Sequence, residues 1–289
     1  MISSGALATC GFWGIDVLAK TQRGNPVAIL KSLEDDSHVK TRISQYEALQ
    51  NGKGIEIAKT LVVAKAKGYD QLLKKLGLQT IGFVTDHVKA IDSENKTTFR
   101  RKLMCYESRY SRMYFSQIFQ LINEEIRPKG RRTYRAYDGL NNTFNLGYEI
   151  LRWKVHIALI KSKLEPFLGF LHSLQYSKPS LVCDFMELYR YLVDDLIISF
   201  CRDLEPKDFV FKTEKHANRK AKRQYLTHKM TQIFVKKLDL LFQTEVGIPR
   251  VKVGKKQQIE TLISEEALLL AKFLRGEKTV WTPRIASLA

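Results

Sequence analysis

Hydrophobic periodicity limits the folds open to this chain more than any other feature. From about Val39 to Leu274, apolar residues recur at three- and four-residue spacing, which places them on one face of an α-helix. Ile43, Tyr46 and Leu49 begin the pattern, and Ile55, Ala58, Leu61, Val62 and Ala64 continue it. Residues 85–91 read as another helical stretch. Residues 99–126 read as a long one, with Leu103, Tyr106, Tyr110, Met113, Tyr114, Ile118, Leu121 and Ile122 on one broad stripe. Arg127-Pro128-Lys129-Gly130 ends it, since neither proline nor glycine continues a helix. The pattern resumes at 141–164, where Asp138 or Asn141 can cap the start. A loop over 166–172 contains Gly169, and helices are expected at 180–202, 225–242 and 259–274. Only residues 1–36 depart from the pattern. They hold a short helical stretch (5–12) and strand-like runs at 14–18 and 26–30, with Gln22-Arg23-Gly24-Asn25 as a hairpin turn. Three such small elements do not close a sheet core. The expected fold is therefore mainly α: an α-helical domain over 37–289, preceded by a small, incomplete β-rich domain over 1–36.

Charge bears next on function. With 48 Lys plus Arg against 30 Asp plus Glu the net charge is +18, while 44% hydrophobic residues supply a sizeable core. A folded chain this basic is built to meet a polyanion, and nucleic acid is the expected partner. Basic clusters lie at 100–102, 127–132, 215–223 and 250–256. Each by itself is an ordinary solvated face. Arg100, Arg101 and Lys102 stand two turns before Glu107 and are the first choice for holding a phosphate. Lys215, Arg219 and Arg223, spaced by four, would form one cationic helix face. Cys10, Cys105, Cys183 and Cys201 are too few and too scattered for a disulfide framework and read as reduced thiols. No secretory segment or membrane-spanning run is seen, so a cytoplasmic location is expected.

Three segments carry residues capable of chemistry. Leu181-Val182-Cys183-Asp184-Phe185-Met186-Glu187 sets two acids three apart within an apolar helical run. Such acids need a partner or a cation; salt bridges to Arg190 and Lys178 are the alternative to a site. Gly169-Phe170-Leu171-His172 ends in an imidazole that is either a hydrogen-bonded core residue or a ligand. Glu107 shares a helix face with Tyr110 and Tyr114, and could equally be neutralised by Arg100, Lys102 or Arg109. If the three segments converge, one imidazole and two or three carboxylates make an open site for a hard divalent cation, Mg²⁺ or Mn²⁺. Tyr110 and Tyr114 are expected to pack rather than bind, and His156 to be structural. His216 and His228 would accompany the basic surface.

Taken in order, these segments resemble the spacer-acquisition integrase and endonuclease family of CRISPR systems ("Cas one"). The resemblance runs through Tyr106-Glu107-Ser108-Arg109-Tyr110 to Tyr114-Phe115, and Asp138-Gly139-Leu140-Asn141 to Asn145-Leu146-Gly147-Tyr148. It continues through Gly169-Phe170-Leu171-His172, then Leu181 to Glu187 with Arg190, and the closing helix with Trp281-Thr282-Pro283. It implies that Glu107, His172 and Glu187 ligate a catalytic Mg²⁺ or Mn²⁺, with Asp184 as an auxiliary acid. It also implies a homodimer that works with the small "Cas two" protein. The implied reaction joins 3′-hydroxyl ends of short double-stranded DNA to a CRISPR array by transesterification, with nicking of branched DNA. The family's N-terminal domain has several strands before the stretch matched by Met1–Leu7, so part of that domain is expected to be missing here. A non-catalytic nucleic-acid-binding scaffold is the alternative, distinguished by DNA binding without turnover.

Overall fold

The structure, a computed structural model, describes residues 2–22, 24–33, 36–82, 87, 88, 90, 91, 96–173, 175–216, 219–247 and 256–288, excepting the side chains of residues 96, 97, 215, 216, 219 and 220. Helix α1 (Ser4–Phe12) is capped by Ser3, whose hydroxyl accepts from the Ala6 N–H at 3.2 Å. Strands β1 (Val17–Lys20) and β2 (Pro26–Leu30) pair antiparallel. Helix α2 (Ser37–Gln50) ends at Asn51, whose side chain caps α3 (Gly52–Lys75) by accepting from the Lys53 N–H at 3.0 Å. Next come α4 (Lys96–Ile118) and α5 (Gly139–Lys161). The Asp138 carboxylate caps α5, accepting from the Asn141 N–H at 2.7 Å. Helices α6 (Ser180–Met186) and α7 (Arg190–Cys201) precede a hairpin of β3 (Phe209–His216) and β4 (Arg219–Leu226). Helix α8 (His228–Gln243), the short pair β5 (Glu245–Gly247) and β6 (Lys256–Gln258), and α9 (Ile259–Leu274) complete the described elements.

The fold is mainly α, with two-stranded antiparallel sheets only among the described residues. Helix α5 is central: α6, α7, α8, α9 and β4 all pack on it, and α3 lies against α4 and α7. The core runs through Leu61, Leu72, Leu103, Tyr114, Phe144, Leu151, Phe185, Ile197, Leu262 and Leu270, all buried. No described helix is long and apolar enough to cross a membrane. All four cysteines are free thiols. Burial pushes the Cys183 and Cys201 thiols up, which leaves them unreactive.

Four expectations from periodicity need correction. First, Ile43 and Tyr46 on α2 face solvent, while Thr41, Gln45 and Ala48 are buried. The Gln45 amide donates to the Glu165 and Leu168 carbonyls at 3.0 and 2.9 Å and accepts from the Glu165 N–H at 2.9 Å. A buried loop needs partners for its backbone, and a glutamine supplies both kinds. Secondly, α4 stops at Ile118 and gives way to 3₁₀ turns at Phe119–Leu121 and Glu124–Ile126. Thirdly, the single helix expected over 180–202 is two. Across the break, N–H groups of Glu187, Leu188 and Tyr189 bond three residues back rather than four, at 3.3, 3.3 and 3.0 Å, and the chain restarts at Arg190. Fourthly, Lys215, Arg219 and Arg223 lie on a β-hairpin and share no helix face. The two strands pair chiefly with each other, so little apolar alternation marks them in sequence. Of the stretch expected to be helical at 85–91, residues 87, 88, 90 and 91 are described and the first three are helical, while the cluster at 250–256 lies outside the described residues but for Lys256.

Candidate metal centre and nucleic-acid face

Asp184 organises the candidate site. It is fully buried on α6 and accepts N–H bonds from Phe170 (2.6 Å), Leu171 (2.9 Å) and His172 (2.9 Å). Its Oδ1 also meets the His172 Nδ1 at 2.6 Å. A carboxylate facing Nδ1 makes that nitrogen the protonated one and leaves the Nε2 lone pair outward. Asp184 therefore shapes the loop and orients the imidazole, rather than pairing with Lys178. Gly169 lets this happen: a Cβ there would stand 2.8 Å from the Ser180 backbone and 2.9 Å from Asp184 Oδ2. Gly169→Ala should lift the loop from α6 and cost about 1–3 kcal/mol of stability, measured by urea denaturation. An unchanged midpoint would refute the close approach.

Glu187 caps the C-terminal end of α6, where the chain breaks, and is 4% exposed. Its Oε1 meets Arg190 at 3.1 Å and its Oε2 meets the Lys65 ammonium at 2.7 Å. Glu107 sits at the edge of the buried stripe of α4, between Leu103 and Tyr110. It contacts the same ammonium and accepts from the Ser111 hydroxyl at 2.9 Å. The two acids thus converge on one cation. Burial pushes the Glu187 carboxyl up, but Arg190, Lys65 and His172 outweigh it and hold it below the usual range. Of the two salt bridges weighed as the alternative to a site, the one between Glu187 and Arg190 is formed.

Lys65 is a site residue that helical periodicity passes over, and its signal in the sequence is a charge on the stripe of Leu61, Tyr69 and Leu72, where an apolar residue belongs. Among the described residues, no three His, Cys, Asp or Glu side chains stand together closely enough to hold a metal ion. Glu107 and Glu187 are bridged by the ammonium instead. Their chemistry still suits a hard divalent cation: two carboxylates, one of them buried with only an ammonium at its Oε2, and an imidazole whose Nδ1 is anchored.

A third buried acid underlies the site. Asp194 accepts from the Tyr114 and Tyr148 hydroxyls at 2.9 and 2.6 Å. Tyr69 stacks on Tyr114 with ring centroids 3.7 Å apart, and Arg190 lies over the Tyr148 ring at 4.7 Å. The Tyr110 hydroxyl donates to Asp70 at 2.7 Å. Both tyrosines singled out on α4 are therefore packing residues. His156 is lowered chiefly by burial and then by Arg152, in keeping with a structural role.

The basic residues divide into structural and exposed groups. Arg131 is enclosed by the rings of Phe115, Phe144 and Tyr148 and bonds Asn141 and Asn145 at 3.1 and 2.7 Å. Arg127 bonds the Ile122 carbonyl at 2.8 Å. Arg223 pairs with Glu214 at 3.0 Å. Arg100 donates through Nε to the Phe170 carbonyl at 3.0 Å, fixing the loop from the other side. Arg101 and Lys102 are exposed. A groove of about 550 Å³ runs along this face of α4, lined by Arg100, Arg101, Cys105, Ser108, Arg112 and Ser173. It lies one residue from both Glu107 and His172.

The family described as "CRISPR associated protein Cas1" matches residues 1–239. The "CRISPR-associated endonuclease Cas1 2" of Pyrobaculum aerophilum is 30% identical over 210 residues, 72% of this chain and 70% of that protein. In fold, the chain resembles a "Casposase bound to integration product" with a TM-score of 0.77 at 21% identity, covering 97% of this chain and 81% of that one. It also resembles a chain of a "Partial Cas6-RT-Cas1--Cas2 complex" with a TM-score of 0.77 at 20% identity, covering 99% of this chain and 85% of that one. A family match over residues 1–239 and a relative 30% identical over 72% of the chain lead to one conclusion: the chain belongs to the CRISPR-associated protein Cas1 family.

Proposed function

We propose that this protein is a divalent-metal-dependent DNA endonuclease and integrase, joining 3′-hydroxyl ends of short duplex DNA to a CRISPR array and nicking branched DNA. The observation that carries the reading is the convergence of Glu107 and Glu187, from distant parts of the chain, on a single buried cation, with His172 anchored through Asp184 to the helix that Glu187 ends. The names of its relatives, an endonuclease and a casposase on an integration product, support it.

Glu107, Glu187 and the His172 Nε2 would hold Mg²⁺ or Mn²⁺. When bound, such an ion offsets charge gathering on a phosphate and favours ionisation of a nearby hydroxyl or water. The protein's own groups do the remaining work. Asp184 fixes the imidazole, Arg190 keeps Glu187 ionised, and Arg100 holds the Gly169–His172 loop from the α4 side. Arg101 and Arg112 offer charge along the groove for the phosphate backbone, giving salt-dependent binding with little sequence preference. In strand joining, the 3′-oxygen bonds to phosphorus as a phosphorus–oxygen bond of the array strand breaks. The proton lost by one hydroxyl is matched by that gained by the other.

A Cas2 protein and a second copy of this chain are the proposed partners, the former because a Cas1–Cas2 complex shares the fold. The test is nicking and strand joining on branched or half-site DNA with Mn²⁺, comparing wild type with Glu187→Ala and the milder Glu187→Gln. Activity should fall about 100-fold or more, while DNA affinity stays within about threefold. Equal activity would refute the site. Binding without turnover in the wild type as well would favour a scaffold.

A further inference from the structure

Lys65 is 4% exposed, in the middle of an apolar helix face, with its ammonium against Glu107 and Glu187 and 5.4 Å from the centroid of the Tyr69 ring. A buried lysine persists only where charge compensates it. Here the compensation is mutual: Lys65 and Arg190 balance the two acids without any further ion. A divalent cation added to that set would leave two uncompensated positive charges in a buried place. One cation must therefore withdraw.

Geometry selects which one. Arg190 is held over the Tyr148 ring and against Glu187 Oε1. Lys65 has a flexible four-carbon stem, and its partner Glu107 is 23% exposed, so the site is open on that side. Glu187 Oε2, moreover, has the ammonium at 2.7 Å.

We infer that Lys65 is a resident counter-cation: it holds Glu107 and Glu187 together in the metal-free protein and gives up its place when a divalent metal enters. It is a positioning residue that sets the threshold for metal binding. It also keeps the buried Glu187 and the half-buried Glu107 from repelling each other before the metal arrives. The inference rests on the metal-centre reading above and goes beyond it, in assigning Lys65 a competing role.

The test is titration with Mn²⁺ alone, followed by calorimetry or by the paramagnetic signal of free Mn²⁺, for wild type, Lys65→Met, Lys65→Gln and Glu187→Gln. Wild type should bind an ion that Glu187→Gln binds far more weakly. Lys65→Met and Lys65→Gln should bind it at least ~tenfold more tightly than wild type, since a competing positive charge is gone. Without metal, both should melt several degrees lower, and saturating Mn²⁺ should raise their melting temperatures more than it raises the wild type's. Glutamine keeps a polar head on a shorter stem, so it serves if the methionine variant does not fold. Lysine variants binding Mn²⁺ no more tightly than wild type would overturn the role of Lys65 and leave the metal centre standing. A wild type that binds no Mn²⁺ would overturn both.

Discussion

Asp184→Ala should lose about 3–5 kcal/mol of stability and, with it, strand joining, although Asp184 is not among the proposed metal ligands. The carboxylate accepts three consecutive backbone N–H groups and the His172 Nδ1 in a place closed to water. Deleting it strands all four donors. It also frees the imidazole to rotate, so the loss of activity should exceed what the fall in folded fraction explains. Asp184→Asn would separate the two effects. Its amide can satisfy only one side of the set, because Oδ2 serves Phe170 and Leu171 while Oδ1 serves His172. An intermediate stability with activity as low as the alanine variant is expected. Denaturant unfolding and nicking assays on the same preparations decide the matter; an alanine variant within about 1 kcal/mol of wild type would refute the role assigned to Asp184.

Asp194 should write its signature in the pH dependence of stability. Burial raises its carboxyl from 3.8 to about 6, with the Tyr148 and Tyr114 hydroxyls and then Arg190 and Arg131 offsetting part of the cost. The folded state therefore holds this proton more tightly than the unfolded state does. Its stabilising contribution is fully present below about pH 4 and is lost as pH rises through about 6, on the order of 3 kcal/mol in all. Asp194→Asn cannot titrate. The stability of wild type relative to this variant should thus fall by about 3 kcal/mol between pH 4 and pH 7, read from urea unfolding at a series of pH values. Parallel curves for the two proteins would show that Asp194 is ionised throughout that range. The exchange also tests the layer beneath the site, because Tyr114 and Tyr148 both donate to this acid.

Local signals told most where they were strong and self-contained. Helix α9 (Ile259–Leu274) runs over the residues its periodicity marks, and Asp138 caps α5 as its position suggests. The loop ending in His172 and the acids on α6 were visible as polar groups in apolar settings, which need a partner wherever they end up. The readings that failed depended on what lies across from a segment. Ile43 and Tyr46 match the helical repeat as well as Leu61 does, yet they face solvent, because the buried side of α2 is the one that satisfies the 165–168 loop. Strands β3 and β4 carry charges along both their lengths and bury few apolar side chains, Phe209 and Leu226 among them, so little apolar alternation marks them in the sequence.

The sequence by itself determined the class of fold, the basic character and the set of acids and imidazole that could do chemistry, since these follow from composition and from spacing along one helix. Tertiary structure alone decided which groups meet. It placed Asp184 under the His172 loop, turned Arg131 inward among aromatic rings, broke the helix at Glu187 and brought Lys65 between two acids from other elements. The physical reason is that a helix face specifies what must be buried, whereas the identity of a buried charge's partner depends on which neighbouring element supplies the compensating charge.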